Sequence, residues 1–277
     1  MHVVIVGYGF VGKALRSVLR DATSSRATNL RLSIVDPALE SSEKFEDAMA
    51  ANPDIVFLCL PTPTVGGRCD DTLVMDYVQK LRPYPGLVVV KSTVPISTVE
   101  NILLHRPTTV FWPELLRESK AAEDMKNPKI IVIGAPSNLQ ASYLTRFIET
   151  YTTIAVPNSS SIKIVSPKES SIFKYAINSF LATKVVFMHQ MFSWLNERGD
   201  GDSYAVLVEL MKAEGRSGQT HFDAPGQHGL GFAGSCFPKD TEALLGQASF
   251  DAFDFTLLEA VVETNKQLRD TDIEQVK

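Results

Sequence analysis

Val3-Val4-Ile5-Val6-Gly7-Tyr8-Gly9-Phe10-Val11-Gly12 is the stretch that decides the fold. A short β-branched run reads as a buried strand, and the pattern turns helical directly after the glycines. The first glycine permits a tight turn, the second a close approach of a pyrophosphate, and the third close helix–strand packing. The helix start then faces the phosphates with its unpaired N–H groups. Asp36 ends the next apolar run, where a carboxylate reaches the ribose hydroxyls of a dinucleotide. Residues 37–43 hold no Lys or Arg for a 2′-phosphate, which points to NAD rather than NADP. The competing reading is a glycine turn that holds no ligand.

Working outward, further strand candidates are residues 30–35, 55–60, 87–91, 109–112 and 130–133, with helical patterns between most of them. Near-continuous apolar strands alternating with helices predict an α/β fold: a Rossmann-type, doubly wound parallel sheet covered on both faces. After about residue 160 the strands are expected to stop. Residues 168–197 read as one long helix, with Ile172, Phe173, Ala176, Ile177, Phe180, Leu181, Val185 and Met188 at three- and four-residue spacing. Shorter helices are expected around 204–212 and 253–268, and the glycine-rich stretch 215–234 between them reads as loop. Pro157-Asn158-Ser159-Ser160-Ser161 has the composition of a hinge, which divides the chain into domains 1–160 and 161–277.

The sequence has 277 residues and a net charge of −5, with no basic footprint for nucleic acid or for an anionic membrane. No run reaches the ~18 apolar residues of a membrane span. The start has no basic segment of a secretory signal. Three cysteines, Cys59, Cys69 and Cys236, argue against a disulfide framework and for the cytoplasm. No Cys or His spacing points to a metal.

Gly231-Phe232-Ala233-Gly234-Ser235-Cys236-Phe237-Pro238-Lys239-Asp240-Thr241 is the most informative stretch of the second half. Glycines around a single cysteine let a substrate approach closely. The pattern after Pro238 is helical, so Cys236 sits just before a helix N-terminus, a place that favours thiolate. The plainer alternative is a small buried cysteine, the reading given to Cys59 inside its apolar strand. Lys174 and Asn178 share one helix face, as does a solvated surface pair. Lys184 reads as such a surface residue. Glu114 and Glu118, also four apart, follow a strand end on the ligand side of an α/β sheet, or else form a solvated first turn.

These residues carry a resemblance. Leu60-Pro61-Thr62-Pro63-Thr64, Lys91-Ser92-Thr93-Val94-Pro95, Pro113-Glu114-Leu115-Leu116-Arg117-Glu118, Lys174-Tyr175-Ala176-Ile177-Asn178 and Gly234-Ser235-Cys236-Phe237-Pro238-Lys239-Asp240 resemble, in order, the motifs of the UDP-glucose/GDP-mannose dehydrogenases. The resemblance implies a NAD-binding Rossmann domain, then a helical central domain carrying the catalytic cysteine and the dimer interface. It leaves out the family's C-terminal UDP-binding domain, so the chain reads as a short form. The implied activity is four-electron, NAD-dependent oxidation of a nucleotide sugar at C6, UDP-glucose first. Cys236 would form a thiohemiacetal and then a thioester. Lys174 and Asn178 would stabilise oxyanion charge, Thr93 and Asp240 would position water, and Glu114 would act as base. Gly7, Gly9, Phe10, Val11, Gly12, Asp36, Thr62, Thr93 and Glu118 would line the cofactor. Glu114, Lys174, Asn178, Arg216, Gly231, Gly234 and Cys236 would line the substrate, with Arg216 reaching the site of a second subunit in a homodimer.

Two departures from the family pattern stand out. Ala233 replaces a usual glycine, which would strain the backbone if its φ is positive. His189-Gln190 replaces an Asn-Glu pair in the long helix, a change expected to fall on dimer contacts. The alternatives are a two-electron hydroxyacid dehydrogenase of the 6-phosphogluconate and β-hydroxyacid type, or a degenerate NAD-binding protein that needs a partner. The cysteine in its glycine loop speaks against the first. The intact set Thr93, Glu114, Lys174, Asn178, Cys236 and Asp240 speaks against the second.

Overall fold

The structure is a computed structural model that describes residues 1–26, 30–137 and 161–275. The chain divides into two compact units. The first comprises residues 1–63 and 70–174, and the second comprises residues 64–69 and 175–277. Residues 157–160 of the expected hinge lie outside the described residues.

In the first unit, β1 (His2–Val6), β2 (Arg31–Val35), β3 (Ile55–Leu58), β6 (Leu87–Val90), β7 (Val110–Phe111), β8 (Ile130–Gly134) and β9 (Ser161–Val165) form one sheet in the order β2-β1-β3-β6-β7-β8-β9. All neighbours run parallel except β7 and β8. Alternate residues of β1 serve different cores. Val3 and Ile5 join Leu15 and Leu19 of α1 (Phe10–Arg26) and Met125 of α5 (Ala121–Lys126). Val4 and Val6 join Ala48 of α2 (Phe45–Ala50), Val74 and Val78 of α3 (Thr72–Lys80), and Val99 and Ile102 of α4 (Ile96–His105). Both faces are therefore covered, which is why the strands read as unbroken apolar runs. Each fully buried Val or Leu stabilises by about 1.5–3 kcal/mol.

The chain leaves β1 to reach β2 on one side and returns to β3 on the other. The order thus reverses at β1, and a crevice opens there beyond the carboxyl ends of the strands.

Strands do not stop near residue 160. Strand β9 pairs with β8 over five residues, Ile130 opposite Ser161 through Gly134 opposite Val165. It is an edge strand with exposed Ser161, Lys163 and Ile164, so it lacks the apolar run that marks a central strand.

The second unit takes a short hairpin from the first half of the chain, β4 (Thr64–Val65) and β5 (Arg68–Cys69). Gly66 and Gly67 supply its two-residue turn, both with positive φ, at 57° and 73°. The rest of the unit is α6 (Pro167–Glu197) from Tyr175 onward, α7 (Ser203–Glu214), α8 (Phe237–Phe250) and α9 (Thr256–Gln275). Helix α6 matches the long helix the spacing predicts, and α9 starts three residues later than expected. Ala182 and Val186 of α6 pack with Leu230, Phe232, Val261 and Leu268. Met188 packs with Tyr204 and Phe222. Among the described residues no helix is long and apolar enough to cross a membrane.

Candidate active site

The turn after β1 fits a dinucleotide. Gly7 has a φ of 94°, and a Cβ there would lie 2.4 Å from the Cys59 carbonyl oxygen. A Cβ on Gly12 would lie 2.1 Å from the Gly7 carbonyl oxygen. Gly9 alone faces open space, with nothing within 4 Å of its would-be Cβ. Two glycines thus let backbone meet backbone, and the third leaves room for a phosphate at the first turn of α1, where Phe10 and Val11 stand. Asp36 follows β2. Its Oδ2 accepts the Tyr8 N–H at 2.5 Å and its Oδ1 the Ala38 N–H at 2.8 Å. Each oxygen keeps a lone pair for a ribose hydroxyl.

The loops after β3 and β6 are sewn together. Thr62 is buried and donates from Oγ1 to the Thr93 carbonyl at 2.8 Å. Ser92 Oγ accepts the Leu60 N–H at 2.9 Å and donates to the Leu60 carbonyl at 2.8 Å. Thr93, Val94, Pro113, Ser171 and Lys174 line a small, partly open pocket. Ser171 Oγ donates to the Val94 carbonyl at 2.6 Å and so holds the first turns of α6 there.

Lys174 and Glu114 meet in this unit as a buried pair, Nζ to Oε1 at 3.0 Å. The solvated reading of Lys174 is therefore excluded. Glu114 Oε2 is buried with no hydrogen-bond partner among the described residues, so a lone pair stays available to a proton. Glu118, by contrast, is exposed at the start of a 3-10 turn, Glu118–Lys120. Spacing alone made the two acids equivalent, but the backbone leaves the helical path between them.

Lys91 opens one of the quoted motifs at an apolar strand end, but the sequence reading gave it no role. It is fully buried, with Nζ 3.0 Å from the Trp112 carbonyl and 3.5 Å from the centre of that indole ring. Burial pulls its amine down to about 8, opposed by the charges of Cys59 and Glu114 and helped by that of Lys174. Burial pushes the Cys59 thiol up to about 12, which fits a core cysteine.

In the second unit, Cys236 is the N-cap residue of α8, half-buried, with Pro238 following in the first turn. Ser235 Oγ lies 3.7 Å from its sulfur. Asp240, one turn on, is fully buried; its Oδ2 accepts from Asn178 Nδ2 at 2.5 Å, and its Oδ1 takes the Lys239 ammonium. The Lys239 carbonyl in turn accepts the Thr64 hydroxyl of the hairpin at 2.9 Å. Arg216 follows Gly215, the left-handed cap of α7; its side chain is 90 % exposed and pairs with Glu214.

The glycine loop is held by Asn265, which the motif reading missed, and by His189, which it read as bearing on dimer contacts. Gly231 and Gly234 take positive φ, 79° and 81°, whereas Ala233 does not, so the alanine brings no backbone strain. Asn265 of α9 clasps Phe232, accepting its N–H at 2.6 Å and donating to its carbonyl at 3.1 Å. His189 is fully buried and bonds to Gly231, so it is no surface contact for a second subunit. The expectation placed it on the outer face because helical spacing does not say which side a loop returns to. Lys184 keeps a structural role: it donates to the Ser217 carbonyl at 2.9 Å and to that of Thr220, over the Phe222 ring.

The first unit is a dinucleotide-binding domain of the Rossmann class, with a buried lysine–glutamate pair on its ligand side. Residues 28–155 match the NAD binding domain of the UDP-glucose/GDP-mannose dehydrogenase family, and residues 168–267 match its central domain. The chain belongs to that family. The UDP-glucose 6-dehydrogenase of Rickettsia conorii is 34% identical over 229 residues, 78% of this chain and 50% of that protein. The UDP-glucose 6-dehydrogenase TuaD of Bacillus subtilis is 30% identical over 85% of this chain and 51% of its own length. Among solved structures, a UDP-glucose dehydrogenase from Pyrobaculum islandicum superposes with a TM-score of 0.79 at 27% identity, covering 96% of this chain and 68% of that one. The chain spans about half the length of the curated relatives it matches.

Proposed function

We propose that the chain oxidises the primary alcohol carbon of a nucleotide-linked sugar to a carboxylate, with UDP-glucose as the first substrate to test. The observation that carries the reading is the pair of buried polar contacts made by α6. Lys174 is buried against Glu114, Asn178 one turn on is buried against Asp240, and Asp240 lies one turn after Cys236 in α8.

Bound NAD supplies the hydride acceptor for both oxidations. Gly7, Gly9 and Gly12 shape its phosphate site, and the Asp36 carboxylate takes the ribose hydroxyls and repels a 2′-phosphate. Cys236 Sγ adds to the carbonyl carbon of the first oxidation product, giving a thiohemiacetal. The helix N-terminus beneath it favours the attacking thiolate. The Lys174 ammonium and the Asn178 amide donate to the oxygen that gains charge. After the second oxidation the carbon is a thioester, and water displaces the sulfur. Glu114 Oε2, buried and unpartnered among the described residues, takes a proton from that water, and Thr93 and Asp240 orient it. One alcohol and one water thus give one carboxylate, two hydrides passed to the cofactor and three protons, with the thiolate restored.

The exposed Phe180, Phe187 and Trp194 recur every seven residues along α6, and this stripe supports a homodimer. Arg216 extends into solvent, where it can serve the substrate of the second copy. Three free cysteines fit a reducing cytoplasm.

The test counts NADH per UDP-glucose consumed. A ratio of two with no aldehyde released is expected, and Cys236→Ala should abolish acid formation while leaving NAD affinity within about tenfold. A ratio of one would overturn the thioester reading in favour of a two-electron hydroxyacid-type oxidation.

A further inference from the structure

We propose that His189 positions the glycine loop leading to Cys236, and that protonation of its ring releases that loop. The inference rests on the assignment of Cys236 as the nucleophile.

Both ring nitrogens of His189 are engaged with backbone. Gly231 donates its N–H to Nδ1 at 2.7 Å, and Nε2 lies 2.8 Å from the Asp223 carbonyl. An N–H only donates and a carbonyl only accepts, so the ring is the neutral tautomer with its hydrogen on Nε2. The two contacts span the loop: Asp223 stands near its start and Gly231 just before Phe232, Gly234 and Cys236. Gly226 and Gly229 bridge each other between them, with paired N–H to carbonyl bonds of 2.9 and 3.0 Å. Asn265 holds Phe232 from the other side. The stretch from Gly231 to Cys236 thus has a titrating clamp on α6 and a non-titrating clamp on α9.

A second proton on His189 would point from Nδ1 at the Gly231 N–H, donor against donor, and that bond would be lost. The other titratable groups bound to this segment are Asp223 within it, Tyr204 of α7, whose hydroxyl donates to the Phe222 carbonyl at 2.6 Å, and Arg269 of α9, which donates to the His228 carbonyl at 3.1 Å. His228 itself lies in the loop, and Lys184 and Lys212 stand over the Phe222 ring. Asparagine in its place would offer an acceptor and a donor without titrating. Histidine keeps the clamp and adds sensitivity to acid.

The experiment uses the full chain as wild type, His189→Asn and His189→Leu. Hydrogen exchange of the Gly231 amide, corrected for intrinsic rate, is read at about pH 7.5 and about pH 5. Alkylation of Cys236 by iodoacetamide, located by peptide mapping, is read alongside. In wild type the protection of Gly231 should fall about tenfold or more on acidification, with a parallel change in Cys236 alkylation. His189→Asn should hold its protection at both pH values, and His189→Leu should lack it at both. In turnover, His189→Leu should lower kcat with NAD affinity unchanged, and His189→Asn should restore it. Equal protection of wild type at the two pH values, or an asparagine variant that behaves like leucine, overturns the proposal. Should His189→Leu fail to fold, wild type against His189→Asn decides alone. The exchange and alkylation readouts need no substrate, so a chain inactive on UDP-glucose would count against the proposed function and not against the clamp.

Discussion

Two glycine-rich segments adjoin the residues proposed to act, and they are held in opposite ways. In the turn 7–12, glycines fit because backbone presses on backbone: Gly7 against the Cys59 carbonyl, Gly12 against the Gly7 carbonyl. In the loop 226–234, shape comes from side chains far along the chain, His189 on one helix and Asn265 on another. The first segment is specified by the absence of side chains within it. The second is specified by polar groups brought to it by folding. A local rule suffices for one, whereas the other needs long-range partners whose loss leaves buried N–H and C=O groups unsatisfied.

The largest effect should come from breaking the first kind of contact. Gly7→Ala puts a Cβ into backbone and forces an L side chain to positive φ, so a loss of about 3 kcal/mol or more is expected. Gly9→Ala meets nothing within 4 Å and should leave the melting temperature nearly unchanged. It should still weaken NAD binding about tenfold or more, because its Cβ enters the phosphate space. Thermal melts with NAD titration separate the two. Similar melting for both variants would mean that the turn is not held by close backbone approach.

Asn265→Ala should cost about 1–3 kcal/mol for each of the two Phe232 groups, N–H and C=O, that it leaves unpaired. It should also raise Cys236 alkylation at neutral pH, where His189 still holds Gly231. If the variant melts lower but Cys236 reacts as before, the clamp stabilises the fold without governing the nucleophile.

The smallest effect separates a buried charge from both loops. Lys91 has its amine lowered to about 8 from an ordinary 10.5, so between those values the unfolded chain binds more protons than the folded one. Lys91 therefore makes stability rise with pH across that window, and below it the folded chain bears the full penalty of a buried ammonium. Cys59, raised to about 12, acts in the opposite sense above its ordinary 9. The informative quantity is thus the difference between wild type and Lys91→Met in urea midpoint from about pH 8 to about pH 10. The variant should lack part of the rise. An unchanged slope would show that Lys91 stays protonated in the folded chain across that window, as it does when unfolded.

The sequence by itself determined the sheet and its cofactor turn. Near-continuous apolar β-branched runs, the spacing of three glycines and an acid at the next strand end are local signals, and each maps onto β1, β2 and the crevice above them. It also located Cys236 at a helix start and α6 as one long helix, because caps and helical periodicity are written in neighbouring residues. Only the tertiary structure decided which charges are buried. Lys174 and Lys184 look alike on a helix face, yet one lies under a glutamate and the other staples a loop. Glu114 and Glu118 share a spacing but not an environment. Strand β9 was missed because an edge strand need not be apolar, and its partner supplies the hydrogen bonds. His189, Asn265 and Lys91 carry no local signature, since what a buried polar side chain does depends on which donors and acceptors folding places within three ångströms of it.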